Sequence, residues 1–587
     1  VLALAGLASG FIAMSWRKWP DPLIDFGREL YIPWRLAHGA VLYRDMDDFY
    51  GPLSQYLNAG LFAIFGPGMM VLVAANLVIF AAIVATLYLL FRRAWGVGAA
   101  LASAAAFIAV FGFSEFTPTA NYNYATPYAH EVTHGFLTCL LLVCALLRWL
   151  EKPTALRSAV AGVLFGISAV LKPEILFAAG LVTLAACLVR WRSGPPLRLA
   201  DGAAWALGAV VPTAVFAIYF SLFEPWGAAL AWACRAWLSV SATTRFTGET
   251  LQAGFLGLDR PWAHLVEHAW ATGLAVLVIG GLAVGARLSE RAAAAWLRWL
   301  LGGVLVGMVG WLAWSGVDWF QVGRCFLGLA LVYLAFQTVT LVRRREGGPD
   351  ARAGRARLLI AVLAAALMAR MVLNGRIYQF GFYQAALAGV LVPAVLIGEL
   401  PERVGGGRWT RALIVAGSLL LIGLGIASLT AASQKMLGRK TLAVGAGADR
   451  FYAFPPELRP AGMLVGGASD WLRHTPAGQT VLVLPEGEMI NYLARRPSPV
   501  APFFFFSAAI SGGREAAVLR DLQAHPPDWV VVISRDLREY GVRRYGEAPG
   551  KGALILQWVI ENYRPVEQAG GDPLDPAQHG AMILGRQ

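Results

Sequence analysis

Residues 21–58, DPLIDFGRELYIPWRLAHGAVLYRDMDDFYGPLSQYLN, decide how the rest of the chain is read. Asp21, Asp25, Arg28, Glu29, Arg35, Arg44, Asp45, Asp47 and Asp48 crowd into this one segment. Apolar runs flank it on both sides, in a chain of which only 14% of residues are charged. Charge packed beside apolar spans is costly to keep and marks a site of use. The flanks therefore have to be read first.

Of the 587 residues, 57% are apolar, and the mean hydropathy is +0.57. Apolar runs near 69–91, 97–113, 135–150, 158–171, 175–190, 203–222, 269–286, 296–314, 325–342, 357–373, 384–399 and 411–431 recur along the sequence. With VLALAGLASGFIAMSW at the start, read as part of a first span and not a signal peptide, they predict about thirteen transmembrane helices. The fold class expected is a polytopic α-helical membrane protein. The net charge of +13 lies mostly in short loops, which suits orientation and contact with anionic lipid and argues against nucleic acid. With the 21–65 loop outside, the inside loops carry Arg92 and Arg93, Lys152 and Arg157, Arg190 to Arg198, Arg287 and Arg291, Arg343 to Arg357, and Arg403 to Arg411. Every inside loop is then basic. The rule also splits 158–190 into a hairpin turning outside at Lys172-Pro173-Glu174. Outer loops follow at 15–68, 114–134, 223–268, 315–324 and 374–383, and everything after about 433 is outside too. Trp226, Trp232, Trp237, Trp262 and Trp270, in and just after 223–268, predict interfacial helices there. The five cysteines lie in or beside apolar runs and form no CxxC, so no disulfide framework is implied.

From 433 the pattern changes. TVLVLPEG and DWVVVISRD read as strands, EMINYLARR and GALILQWVIENY as helices. The chain thus divides into a transmembrane domain, 1–432, with 15–68 as its charged outer loop, and an extracytoplasmic α/β domain, 433–587. The latter carries no GxGxxG, Walker or GxSxG pattern and reads as a scaffold or acceptor-docking unit.

Three constellations carry chemistry. A helix over 22–38 would put Asp25 and Glu29 on one face, with Arg28 and Arg35 on an adjoining one. A carboxylate base beside cations that hold a phosphate fits that pattern, as does an interfacial helix with solvated charges. His130-Glu131-Val132-Thr133-His134 is a literal HExxH, so His130, Glu131 and His134 could grip a divalent metal ion. The same residues could instead contact phosphate or be structural. Lys172, Arg324 and Arg376 lie on the outer side against the charge rule, where an anionic lipid headgroup is their natural partner, with snorkelling as the plainer account. Of the many acids in 21–58, Asp45, Asp47 and Asp48 read as loop acids.

The segment DFGRELYIPWRLAHGAVLYRDMDDFYGPL, followed by a helix and a lone FG, resembles the first outer loop of GT-C-fold glycosyltransferases. The likeness is nearest to bacterial relatives of dolichyl-phosphate-mannose–protein mannosyltransferases and the aminoarabinose transferase of lipid A. It extends through PYAHEVTHG, LKPE and the layout of spans with a C-terminal extracytoplasmic domain. In that family the first loop often carries Asp-Glu. Asp25 matches the Asp, but Phe26 stands where the Glu would be, leaving Glu29 as second carboxylate; Glu131 fits the acid of the second loop. The resemblance implies a hexosyl- or pentosyltransferase of the bacterial inner membrane. It would move a sugar, with inversion, from a polyprenyl-phosphate donor to a glycan, lipid or protein acceptor. Asp25 would act as base and Glu29 as helper. Arg28, Tyr50, His130, Glu131, Lys172, Arg324, Arg376 and Tyr378 would bind substrate, with no cofactor required beyond a possible divalent metal ion. The rival readings are a flippase for a lipid-linked sugar, an HExxH membrane metalloprotease, and a membrane-anchored sensor.

Overall fold

Each of the thirteen apolar runs carries a helix in the computed structural model, which describes residues 2–119, 123–193, 198–244, 253–254, 256–343, 349–371, 373–374, 382–506 and 513–587. Eight helices among the described residues are long and apolar enough to cross a bilayer. They are Met69–Trp95, His130–Glu151, Pro173–Arg192, Leu199–Phe220, Pro261–Glu290, Ala295–Ser315, Gly323–Arg343 and Arg408–Gly438. The chain is a polytopic α-helical membrane protein with a small C-terminal sheet domain. The longest helix has 31 residues, about 46 Å at 1.5 Å per residue, enough to clear a hydrocarbon core.

The first eight helices are α1 (Leu2–Ser15), α2 (Phe26–Ala37), α3 (Leu53–Phe65), α4 (Met69–Trp95), α5 (Val97–Ala106), α6 (His130–Glu151), α7 (Ala155–Ala169) and α8 (Pro173–Ser193). α4 ends on Arg92 and Arg93 with Gly96 at φ 90°, a left-handed stop that glycine takes without strain. The expected hairpin at 172–174 is present, since Pro173 begins α8 after a break at 170–172. Trp262 and Trp270 depart from expectation. They sit on Pro261–Glu290, which starts eight residues before the apolar run, with His264 and His268 of its first turns buried against Asp259 and the Arg324 carbonyl; Trp226–Ala233 and Arg235–Thr244 are short helices of that loop.

Charged side chains sort to the two ends of the bundle. At one end Arg93 pairs with Glu151, Arg192 donates to the Val342 carbonyl, and Arg357 and Arg403 converge on Glu399, which also accepts from Tyr333 and Trp95. A cavity of ≈ 170 Å³, lined by Trp149, Asp201 and Trp205 among others, lies between the helices here. At the other end the C-terminal domain is docked. Arg17 donates to the Gly447 and Arg450 carbonyls, and Asp449 accepts from the Met69 N–H and the Tyr492 hydroxyl while pairing with Arg495. Lys440 pairs with Glu115 at 2.7 Å.

In that domain β1 (Leu442–Val444) and β2 (Phe451–Ala453) form an antiparallel pair. β3 (Val481–Leu484), β4 (Trp529–Ile533), β5 (Tyr563–Gly570) and β6 (Gly580–Arg586) form a sheet in the order β3-β4-β6-β5. β3 and β4 are parallel and buried, as their unbroken aliphatic runs require; β6 is antiparallel to both neighbours. The helices Glu488–Ala494 and Ala553–Asn562 stand where the sequence predicted them. The exposed and polar pattern of β5 concealed it from a reading based on apolar runs.

Candidate active site

Asp21 starts the site. Its Oδ1 accepts the backbone N–H groups of Leu23 and Ile24, turning the chain so that Asp25 precedes the first residue of α2. Asp25 is therefore outside the helix, at φ 58° and ψ −40°, a conformation that costs a non-glycine residue about 1–3 kcal/mol and clusters at functional sites. Its N–H donates to Glu486 Oε1 at 2.8 Å, and the Tyr128 hydroxyl donates to its Oδ2 at 3.1 Å. The loop bearing Tyr128 is held by a π-helical turn, Phe107–Gly112. Widening the helix frees the Phe111 and Gly112 carbonyls, which accept from the N–H groups of Tyr124 and Ala125. Ala129, next in line, is left-handed at φ 50° and turns the chain into α6.

Behind Asp25 lies a buried charged cluster. Arg28 and Glu29 are on α2, Asp48 and Tyr50 on the loop after it, Gln55 on α3, His130 and Glu131 on the first turn of α6, and Lys172 on the α7–α8 turn. Arg28 Nη2 is 3.4 Å from Glu29 Oε1, and Glu29 Oε2 is 3.8 Å from His130 Nε2. Gln55 Nε2 donates to Asp48 Oδ2 at 3.2 Å and to Glu131 Oε1 at 3.4 Å. Arg28 and Lys172 approach the Tyr50 ring, the latter to 4.2 Å from its centroid. Tyr50 is placed by Gly51, where a Cβ would fall 2.2 Å from the Val170 carbonyl oxygen; the Gly51 N–H donates to the Leu171 carbonyl at 2.7 Å. That close approach brings Lys172 to the loop.

The electrostatics are those of a site under load. Burial pushes Glu29 up to about 7, opposed by Arg28 and reinforced by Asp48. Burial raises Asp48 too, against Arg28. Burial also opposes the Arg28 charge, but Glu29 and Asp48 outweigh it and hold the guanidinium more basic than usual. Glu29 Oε2, His130 Nδ1, Glu131 Oε2, Gln55 Oε1 and Thr133 Oγ1 are buried and make no hydrogen bond to the described residues. Native folds rarely bury polar atoms in this state unless water, an ion or a ligand meets them.

On the C-terminal domain, Glu486 follows β3 and Arg535 follows β4. The two strands are parallel, so these residues leave the same edge and pair at 3.1 Å. Burial pushes Glu486 up to about 7, against Arg535, with Asp25 adding to the rise. Glu488 is raised as well, first by burial and then by Glu486.

Solved structures similar to this chain include ArnT from Cupriavidus metallidurans bound to undecaprenyl phosphate, at TM-score 0.44 and 11% identity, covering 99% of this chain and 97% of that one. The Archaeoglobus fulgidus oligosaccharyltransferase in its apo form matches at TM-score 0.49 and 15% identity over 94% of this chain and 71% of that one. The Archaeoglobus fulgidus oligosaccharyltransferase AglB in complex with an inhibitory peptide and a dolichol-phosphate matches at 0.46 and 16%, over 90% and 68%. These proteins are GT-C-fold glycosyltransferases. At such identities and TM-scores the likeness is one of overall shape. No protein-family model matches the sequence, and no curated relative does either.

Of the residues singled out in the sequence, Asp25, Arg28, Glu29, Tyr50, His130, Glu131 and Lys172 come together. Asp25 and Glu29 do not share a helical face, because the Asp21 turn delays the helix to Phe26. Asp48 is on the loop but not solvated: its side chain is buried inside the cluster, whereas Asp45 pairs with Arg44 at the surface. Arg324 pairs with Glu267 at 2.8 Å. Arg376 and Tyr378 lie outside the described residues. His134 Nδ1 is 2.9 Å from Ser54 Oγ, and no group of three His, Cys, Asp or Glu among the described residues is arranged to hold a metal ion. The HExxH spacing thus does not become a ligand set here; its glutamate, Glu131, faces Gln55. Sequence reading passed over Tyr128, Gln55, Glu486, Glu488 and Arg535. The last three were signalled by polar residues at the ends of two buried strands, where sheets present functional groups.

Proposed function

We propose that this chain is a glycosyltransferase of the bacterial inner membrane that moves a sugar from a polyprenyl-phosphate donor to an acceptor outside the cytoplasm. The observation that carries the reading is the strained, half-buried Asp25 beside buried cations, at the end of the bundle where the C-terminal domain docks. Basic loops at the opposite end support an extracytoplasmic position for this one. Asp25 takes the proton of the acceptor nucleophile as its oxygen bonds the anomeric carbon. The bond from that carbon to the phosphate oxygen breaks, its electron pair leaves with the lipid phosphate, and the configuration inverts. Lipid phosphate departs readily when its charge is met, so the site needs a base and a positive cradle, not a general acid. Arg28 and Lys172, flanking Tyr50, are the cradle; Arg376 and Tyr378 are kept in it on sequence grounds. Glu29 holds Arg28 and so acts as helper. If a divalent ion takes part, His130, Glu131 and His134 are where the sequence would put it, but the geometry lends this no support.

A flippase would share the helices and cations and need no base. The separating experiment is release of undecaprenyl phosphate in detergent from a panel of undecaprenyl-phosphate-linked hexoses and pentoses. Turnover of one member, lost in Asp25→Asn, is the expected result. Binding without release of undecaprenyl phosphate from any member would favour the flippase.

A further inference from the structure

We propose that Glu486 of the C-terminal domain, fixed by Arg535, is a positioning residue for Asp25, which makes this domain part of the catalytic unit. The inference rests on the reading of Asp25 as the base. Asp25 occupies a left-handed conformation, and its side chain makes no cap hydrogen bond to the N–H groups of α2. Its amide points away from α2 and would lose its partner if the domain were absent. Glu486 Oε1 supplies that partner at 2.8 Å.

Glu486 is itself immobilised. Arg535 Nε donates to its Oε2 at 3.1 Å, Arg535 Nη2 donates to Glu539 Oε1 at 2.7 Å, and Arg535 Nη1 donates to the Asp536 carbonyl at 2.5 Å. The Tyr540 ring lies 5.9 Å from the guanidinium. A chain of directed contacts thus runs from the edge of the sheet to the Asp25 amide, and the hydroxyl of Tyr128 meets the carboxylate on its other side.

The domain has no slack against α2. A Cβ on Gly27 would fall 2.1 Å from the Met489 nitrogen. Further tethers act on the same helix and loop: the Ser498 N–H donates to the Tyr31 hydroxyl at 2.8 Å, and the Asp47 N–H donates to the Ala501 carbonyl at 3.0 Å. A domain serving as a passive lid needs no such registration. A carboxylate buried next to another acid is also a poor choice for packing alone. Its value here is as a fixed acceptor that holds the Asp25 backbone where the carboxylate can face an incoming nucleophile.

The test uses the full-length protein in detergent with the member of the donor panel that the wild type turns over. Glu486→Ala should lower kcat about 10–100-fold, the worth of one hydrogen bond to a charged acceptor, and leave the donor KM and the Kd for undecaprenyl phosphate within about threefold. Glu486→Gln keeps an oxygen for the Asp25 N–H and should recover most of the loss. Wild-type kcat in Glu486→Ala, with Asp25→Asn inactive, would overturn the positioning role and leave the base reading intact. A parallel loss of kcat, undecaprenyl phosphate binding and Tm in both Glu486 variants would mean a structural role, and would also overturn it. An active Asp25→Asn would remove the base reading, and this inference with it.

Discussion

Gly27→Ala probes the junction between α2 and the C-terminal domain with the smallest possible change. The new methyl carbon would stand 2.1 Å from the Met489 nitrogen and 2.8 Å from both the Glu488 carbonyl carbon and the Met489 Cα, all backbone atoms that cannot rotate aside. Ordinary contact begins at 3.4 Å. The two helices must therefore part by about 1.3 Å, the difference between 3.4 and 2.1 Å. Glu486 lies two residues before Glu488, so its 2.8 Å bond to the Asp25 amide would stretch toward 4 Å, past the ~3.2 Å limit of a hydrogen bond. Overpacking of this kind costs about 1–3 kcal/mol of stability. Losing a hydrogen bond to a charged acceptor removes about 1.5–3 kcal/mol, or roughly 10–100-fold in kcat if Asp25 depends on it. The assay is release of undecaprenyl phosphate, with Tm followed in parallel by tryptophan fluorescence. Gly60→Ala on α3, where a Cβ meets nothing within 4 Å, is the control and should match the wild type. Wild-type turnover and Tm in Gly27→Ala would show that the domain does not bear on Asp25 as described.

Other outcomes follow from the same geometry. Lys172→Ala should weaken undecaprenyl phosphate binding about tenfold or more, because a charge-assisted contact to phosphate is lost; calorimetric titration reads this, and an unchanged Kd would take Lys172 out of the cradle. Asp449→Ala strips the N–H of Met69, the hydroxyl of Tyr492 and the charge of Arg495 of one shared acceptor, and should lower stability by about 2–3 kcal/mol, seen as earlier proteolytic release of the C-terminal domain. Glu486 titrates near 7 when folded against 4.5 ordinarily, so its stabilising share is complete below about pH 4.5 and is lost as pH rises through 7. Tm should fall between pH 5 and 8, less steeply in Glu486→Gln, with Glu29 leaving a residual slope. Identical slopes in the two proteins would contradict the buried, protonatable Glu486.

Much of the architecture was legible because a bilayer demands long apolar runs, and their ends are marked by arginine. The buried strands β3 and β4 were readable for the same reason: unbroken aliphatic residues mean burial on both faces. The site was legible only in part. Asp25, Glu29 and Lys172 stand out as charges beside apolar spans, and this signal is local. The burial of Asp48 was not legible because three acids within four residues look alike in sequence; in the fold Asp48 is turned inward, next to the Gly51 approach to Val170, while Asp45 stays out. Glu486 and Arg535 lie more than 450 residues from Asp25 in the chain, and nothing local links them to it. Their role appears only when Gly27 lets one backbone rest on another. HExxH misleads in the opposite sense: its spacing is local and right, but Ser54 occupies His134 and a further ligand is not assembled among the described residues.

The central claim is that Asp25 is the base of a sugar transfer. The most direct measurement is the rate of undecaprenyl phosphate release by Asp25→Asn, an isosteric change that keeps an oxygen for the Tyr128 hydroxyl and leaves the Glu486 bond to the backbone in place. The account predicts a fall of about 100-fold or more in kcat, with Tm and the Kd for undecaprenyl phosphate unchanged. Turnover within a few-fold of the wild type would contradict it.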